Sequence, residues 1–472
     1  MKKLSLIIIL LFSHQTIFTQ NWQQVGDLNV DIRTFYSDTV TNFLYGTASA
    51  KYNGTDTIGG IFYFDGQNIH GIGQQASHCG EPACGPATLR RFRDKMYVLS
   101  NINSIGGVVT NAMAGWDGSH WSPVRGLYNH SLSGDTTGFA FGGFVENDSS
   151  MLVSGIFLKA GQDTCYSLAR WNGITWKGIR FFPFWGGDPM FLHHVIVYKG
   201  QIYVAGNLVT ETNGETLVRI ARYDEATGWH AVGAGVGGSF SSIYDMKIFR
   251  DELYICGNFT KGGLTIGQNI MRWNGTEWQE VGGGLCGSST VTCMHVYKDK
   301  LYIGGLFGCI GTDGIPANSL AVWDGETWCT VGDNQVFDNK IADIVFYKDT
   351  LYVGGGFTKI GGETMRFFVK YMGDPTGSVC TTSSTGSPQS SSVSVQLSPI
   401  PSNSTVTASF GSTRYEHWQL HRCTDGRVVA LSQIQGADTL QIDVSQLPPG
   451  IYVLSVQLDT GRQWMGKVVV VR

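Results

Sequence analysis

Three stretches concentrate the residue types that recognise ligands or do chemistry. Ile179 to His194 holds Phe181, Phe182, Phe184, Trp185, Asp188, Phe191, His193 and His194; Arg125 to Gly143 holds Tyr128, His130, Asp135 and Phe139; Gly71 to Thr88 holds His78, Cys79, Glu81 and Cys84. Clustered exposed aromatics form a platform for a sugar ring or an apolar partner, because each ring offers a large flat apolar face. Phe184 and Trp185, with Phe181 and Tyr128, are therefore the candidate ligand-binding residues. The competing expectation is that these rings plug space between packed sheets.

The same stretches make a poor metal site. His193 and His194 are adjacent, so in regular extended chain they point to opposite faces and do not chelate together. His78, Cys79 and Cys84 lack zinc-site spacing, and Cys79 and Cys84 frame a Gly-Glu-Pro-Ala loop that a disulfide would close locally. No Gly-x-Ser-x-Gly elbow or helix-borne zinc motif occurs. No cofactor and no metal are expected, no catalytic residue is assigned, and the balance leans away from an enzyme.

These residues sit on connections between elements that repeat. The second strand of each unit reads Phe43-Leu44-Tyr45-Gly46, Met96-Tyr97-Val98-Leu99, Leu152-Val153-Ser154-Gly155, Ile202-Tyr203-Val204-Ala205-Gly206, Leu253-Tyr254-Ile255-Cys256-Gly257, Leu301-Tyr302-Ile303-Gly304-Gly305 and Leu351-Tyr352-Val353-Gly354-Gly355, seven copies in all. Their spacing of about 50 residues is that of a four-stranded propeller blade. The first hairpin turns on Arg250-Asp251, Lys298-Asp299 or Lys348-Asp349, charged pairs suited to a solvated tip. The second turns on Asp65-Gly66, Asp117-Gly118, Asn172-Gly173, Asn274-Gly275 or Asp324-Gly325, which tolerate positive φ. Trp116 and Trp121, Trp171 and Trp176, Trp273 and Trp278, and Trp323 and Trp328 flank those turns and are expected to pack between blades.

The seventh copy ends after Arg366 to Met372 without its fourth strand, while Asn21-Trp22-Gln23-Gln24-Val25-Gly26 is an orphan fourth strand at the other end. Pairing the two closes the ring and hides both edges. Residues 21–373 are thus read as a seven-bladed β-propeller closed by an N-terminal strand. The pattern resembles the kelch and galactose-oxidase-like propellers, most clearly in the double glycine after the second strand, with a shorter third hairpin. That resemblance implies a fold and little about function. A galactose-oxidase copper set does not map onto these residues, and Ser133-Gly134-Asp135-Thr136-Thr137-Gly138-Phe139 is out of step with a sialidase-type Asp box.

The ends of the chain speak to destination. Residues 1–20 open Lys2-Lys3 and continue through an apolar run from Leu4 to Phe12, the layout of a secretory signal peptide, and that run is too short to span a bilayer stably. No other segment reads as transmembrane. A net charge of −4 with no long basic run argues against a nucleic-acid partner. Ten cysteines in an exported chain are free to pair, with connectivity open; Cys256, at a glycine position of the repeat, reads as a small buried hydrophobe.

Residues 374–392 are rich in Ser, Thr, Gly and Pro and read as a flexible linker. Residues 393–472 return to short alternating strands, the pattern of a small β-sandwich of Ig-like type. This module resembles the C-terminal sorting domain of type IX secretion cargo in Leu397-Ser398-Pro399-Ile400-Pro401, Asp425-Gly426-Arg427, Leu447-Pro448-Pro449-Gly450-Ile451-Tyr452 and Gly466-Lys467-Val468-Val469-Val470-Val471-Arg472. Ile400 stands where the family usually has asparagine. The resemblance implies a sorting signal carried by Pro399, Pro401, Gly450, Ile451, Tyr452 and Lys467, partnership with the type IX machinery, and a secreted or outer-membrane surface location after periplasmic export. The whole is an all-β protein whose propeller is expected to bind glycan or protein without catalysis; the alternative is a secreted glycosidase or lyase acting on polysaccharide.

Overall fold

A computed structural model describes residues 21–48, 60–72, 77–78, 88–131, 134–180, 191–212, 214–238, 241–263, 265–285, 289–312, 314–375, 380, 396–398, 403–409, 415–422, 428–432, 439–458 and 463–471. Among these residues there is no helix, and the chain divides into two units, Met1–Thr382 and Ser383–Arg472.

Among the described residues of the first unit, four-stranded antiparallel sheets follow the sequence repeat. Their first strands are Ile32–Asp38, Thr88–Phe92, Phe139–Asn147, Phe191–Tyr198, Ser242–Phe249, Thr290–Tyr297 and Ile341–Tyr347. Each of these lies beside the first strand of the next sheet, and Ile341–Tyr347 lies beside Ile32–Asp38, so the series closes into a ring. Smaller sheets cover some connections; Leu127–Ser131, for example, pairs with Gly134–Thr137 and Lys159–Ala160.

The seventh sheet is completed from the other end of the unit. Trp22–Gln24 pairs with Phe368–Tyr371 in the register Trp22 to Tyr371, Gln23 to Lys370 and Gln24 to Val369. Backbone bonds from Val25 N to Phe368 O (2.9 Å) and from Met372 N to Asn21 O (2.8 Å) extend the zipper at both ends. The Gln24 side chain adds two more, donating to Arg366 O (2.7 Å) and accepting from Arg366 N (2.6 Å). Trp22 is buried against Phe337 and Tyr371, with ring centroids 5.2 and 4.8 Å away.

The turns bear out the charged tips and the positive φ of the Asp-Gly and Asn-Gly pairs, and add detail to both. The charged pairs of the first hairpins are not merely solvated tips. Both residues take positive φ (Arg250 48° and Asp251 59°, Lys298 45° and Asp299 54°, Lys348 49° and Asp349 61°), the conformation of a two-residue turn matched to strand twist. Their charges also reach the next sheet, Arg250 to Asp299 at 2.6 Å and Lys298 to Asp349 at 3.5 Å. Each cation lies over the preceding ring, at 5.2 Å for Arg250 on Phe249 and 4.8 Å for Lys348 on Tyr347. The Asp-Gly and Asn-Gly turns are four-residue loops in which the Asp or Asn oxygen accepts two backbone N–H groups; Asp324 takes those of Glu326 (2.9 Å) and Thr327 (2.7 Å). Asp224, which has no glycine after it, caps the fourth sheet's loop in the same way.

The tryptophans are structural. Within a sheet they meet as cross-strand pairs, centroids 5.2 Å apart for Trp116 and Trp121 and 5.0 Å for Trp323 and Trp328. The fourth-strand indole then donates to a carbonyl at the end of the preceding sheet: Trp121 to Ile72 (2.6 Å), Trp176 to Arg125 (2.7 Å), Trp229 to Arg180 (3.0 Å), Trp278 to Val232 (3.0 Å) and Trp328 to Val281 (2.9 Å). One residue type at one repeat position thereby clasps five of the sheets to their neighbours.

Cysteine use is mixed. Cys165, Cys256 and Cys293 are free and buried, Cys309 is disulfide-bonded, and Cys329 of the sixth sheet's Trp328–Thr330 strand is bonded to Cys380. Cys380 lies inside the stretch whose composition reads as linker, so the start of that stretch is fastened to the first unit.

The second unit has two antiparallel sheets. Gln396–Ser398, Thr405–Ser409 and Thr439–Asp443 form one; Val428–Ser432, Tyr415–Arg422, Gly450–Leu458 and Gln463–Val470 form the other. Val406, Ala408, Leu440 and Ile442 from the first sheet share a single buried cluster with Leu420, Tyr452, Leu454, Val456, Val468 and Val470 from the second. The alternation of these positions along each strand is the period-2 signature of one buried face per sheet.

Candidate functional site

The ring gathers titratable side chains about its axis, and the cause is local. In five sheets the second strand carries a glycine, at Gly155, Gly206, Gly257, Gly305 and Gly355, where a Cβ would collide with a carbonyl in or just before the first strand. Such close approach accompanies a β-bulge in the first strand, between Leu192 and His194, Ile243 and Asp245, Val291 and Cys293, and Ile341 and Asp343. His194, Asp245, Cys293 and Asp343 therefore occupy one register position just after the bulge, with Thr34 in the first sheet, and Lys247 and His295 follow two residues on. The charges act on one another: Arg90 feels Asp245 and Asp343, His194 feels Asp245, Lys247 and Arg90, and Asp343 feels Asp245 and Lys247.

The two carboxylates are committed to backbone. Asp343 Oδ2 accepts from Thr34 Oγ1 (2.9 Å) and Phe35 N (2.6 Å) on the first sheet, and Oδ1 accepts from Ile344 N (2.9 Å). Asp245 Oδ2 accepts from Met294 N of the next sheet (2.9 Å) and Oδ1 from Met246 N (2.8 Å), while Lys247 Nζ donates to both oxygens at 2.7 and 2.9 Å. Neighbouring junctions use hydroxyl and guanidinium donors for the same purpose: Thr88 Oγ1 donates to Phe141 O (2.5 Å), Thr292 Oγ1 to Ile341 O (2.5 Å) and Arg90 Nε to Gly143 O (2.7 Å).

Burial sets the protonation states. It pushes Asp343 up to about 6 and drives His194 and His295 down to about 4. Burial works against Asp245 too, but the charges of Lys247 and His194 and its hydrogen bonds hold it below the usual carboxylate range. The histidines favour the folded state above their unfolded pKa near 6.5, and that contribution is lost as pH falls toward 4. Asp343 has the opposite sign, its folded pKa being raised, so its ionisation destabilises as pH rises from near 4 through about 6. Each effect is on the order of 3 kcal/mol, and two histidines outweigh one aspartate. Chemical denaturation between pH 7 and pH 4 is expected to show stability falling with acid, His194→Gln to flatten that fall, and Asp343→Asn to steepen it.

Of the ligand residues expected from sequence, Phe181, Phe184 and Trp185 lie outside the described residues. Tyr128 is half-buried in Leu127–Ser131, paired with Thr137 and Lys159 in a small sheet over a connection. His193 and His194 do not follow simple alternation, because His193 is the extra residue of the bulge; it lies 5.5 Å from Phe141 between ring centroids. Among the described residues no group of three metal-ligating side chains converges. Sequence reasoning weighed His194 only as a metal ligand and missed the axial set it joins, with Arg90, Asp245, Lys247, His295 and Asp343. The signal was present, since the bulges beside His194, Asp245, Cys293 and Asp343 each lie opposite a glycine of the second strand.

Of the sorting residues, Pro399 and Pro401 lie outside the described residues. Gly450 is exposed at the start of Gly450–Leu458, where Ile451 pairs with Val469 and Val453 with Lys467. Tyr452 is buried and its hydroxyl donates to Pro448 O at 2.7 Å, so the Leu-Pro-Pro-Gly-Ile-Tyr segment is a corner pinned by its own tyrosine.

Four-stranded sheets strung in a ring by their first strands define the class of the first unit, a β-propeller. Residues 396–471 match the family described as "Secretion system C-terminal sorting domain", so the second unit is a type IX sorting tail and the chain an exported cargo protein, secreted or held at the cell surface. No curated protein matches. Among solved structures, the WD40 repeats of RRP9 are 10% identical over 75% of this chain and 97% of that one, with a TM-score of 0.41. The Dos1 propeller is 11% identical over 75% and 96% (TM-score 0.36), and BamB from Moraxella catarrhalis 12% identical over 74% and 96% (TM-score 0.32). All three likenesses are remote. Among the described residues no helix is long and apolar enough to cross a membrane.

Proposed function

We propose that this chain is type IX cargo whose N-terminal signal, residues 1–20, is removed on export. Residues 21–373 are a seven-bladed, kelch-like propeller, residues 374–392 the connecting segment, and residues 393–472 an Ig-like sandwich read by the secretion machinery through Pro399, Pro401, Gly450, Ile451, Tyr452 and Lys467. The propeller binds glycan or protein at or beyond the cell surface without catalysing a reaction. The observation that carries this reading is the saturation of Asp245 and Asp343. A glycosidase needs one carboxylic acid free to protonate the leaving group and one carboxylate free to act as base or nucleophile, and these two are spent on the amides that join one sheet to the next.

Two measurements test it. Chain lacking residues 393–472, expressed in a bacterium with a working type IX system, is expected in the periplasmic fraction and the full chain outside; equal export of both would remove the sorting role. Purified mature chain is expected to release no reducing ends from polysaccharides. Release that disappears in Asp343→Asn would establish the enzymatic alternative.

A further inference from the structure

The fourth sheet departs from the repeat. Its second and third strands, Gln201–Thr212 and Glu215–Asp224, run on as one long hairpin after a register shift between Ala205 and Val209. In the fifth sheet the same connection instead folds into short separate strands, Lys261–Gly262 and Thr265–Ile266. The long hairpin walls a cleft of about 560 Å³ whose other side is the turn of the fifth sheet. Glu215, Thr216, Val218 and Arg222 of the long hairpin line it, with Trp273, Gly275 and Thr276 of the fifth sheet.

The polar groups are held in place before any ligand arrives. Glu215 Oε2 accepts from Ala231 N at 2.6 Å and Oε1 faces His230 Nδ1 at 3.2 Å. The Ala231 amide first, then His230, keep this carboxylate below its ordinary range, and the charge of Arg222 acts in the same direction. Arg222 is anchored by one nitrogen, NH1 donating to Gln201 Oε1 at 3.0 Å. Gly233 and Ala234, also in the lining, present only backbone and a methyl group. A carboxylate, a guanidinium and two threonine hydroxyls give the lining both donors and acceptors, with the two charges balancing. A phosphate or polyanion would meet Glu215 as a like charge, and an apolar ligand would strand both charged groups. A ligand dense in hydroxyl groups and without net charge satisfies all of them, and the volume falls in the range of small-molecule sites.

We infer that the cleft between the fourth and fifth sheets is a binding site for neutral oligosaccharide, with Glu215 and Arg222 as its orienting polar pair. This rests on the glycan side of the binding role proposed above and gives it a location. The test uses full mature chain against soluble cello-, chito-, manno- and galacto-oligosaccharides, with isothermal titration calorimetry on each series. At least one series is expected to bind, and Glu215→Gln to weaken it tenfold or more while thermal unfolding stays as in wild type. Thr216→Trp, at an exposed position facing the cleft, should weaken it by a similar factor by filling the space. Binding that survives both substitutions would overturn the cleft assignment and leave glycan recognition elsewhere on the propeller intact. Failure of every series to bind would overturn both.

Discussion

Removing the Asn21–Gly26 segment is expected to abolish cooperative folding of the propeller, and Trp22→Ala alone to cost about 3–5 kcal/mol. Trp22 is buried in a cluster with Val331, Phe337, Ile360 and Tyr371, which its loss would leave with a large void. The backbone matters as much as the ring. Without Trp22–Gln24 the Phe368–Tyr371 strand becomes an open edge, and an unpaired flat strand is a template for association. Denaturation of Trp22→Ala followed by fluorescence, with light scattering on the deletion, measures both. A deletion that stays monomeric with an unchanged midpoint would show that the ring closes without this strand.

Gly257→Val is expected to destabilise by about 3–5 kcal/mol, far more than a change of size alone would suggest. The added Cβ would meet the Ser242 carbonyl and the Ile243 backbone, and relief of that clash pries the first strand of the fifth sheet away from the second. The bulge at Ile243 and Asp245 then loses its geometry, and Asp245 loses its hold on Met294 N and its pairing with Lys247. Overpacking contributes about 1–3 kcal/mol and a disrupted buried charge about as much again. Gly308→Val is the control, since open space surrounds that position. Urea denaturation of the pair should separate them by most of this difference; equal midpoints would mean that the bulge is not set by the glycine.

Much of the ring was legible because its signals are local and recur. A repeated strand, a recurrent Trp pair and an orphan strand at Trp22 each state one relation, and the register of Trp22 with Tyr371 is the relation that repetition implies. The meaning of Lys298-Asp299 was harder to read. Charge suggests exposure, and Lys298 and Asp299 are exposed, but it gives no sign of two successive positive φ values or of the contact with Asp349. The axial groups were missed for a different reason. Asp245 and Asp343 look like ordinary strand residues until a bulge, dictated by a glycine on the neighbouring strand, turns them toward the next sheet. The cleft at Glu215 and Arg222 was invisible as well, because it depends on one hairpin failing to break where another sheet's does. Polar pre-organisation of this kind carries no compositional mark.

The bond between Cys329 and Cys380 has a mechanical corollary. Tension applied at the carboxyl end of the chain enters the propeller at Cys380 and passes directly into the fourth strand of the sixth sheet. The seam formed by Trp22–Gln24 and Phe368–Tyr371 is shielded from that load, since the covalent shortcut bypasses it. A tail pulled from its carboxyl end therefore tugs on a braced wall of the ring and leaves its non-covalent closure slack.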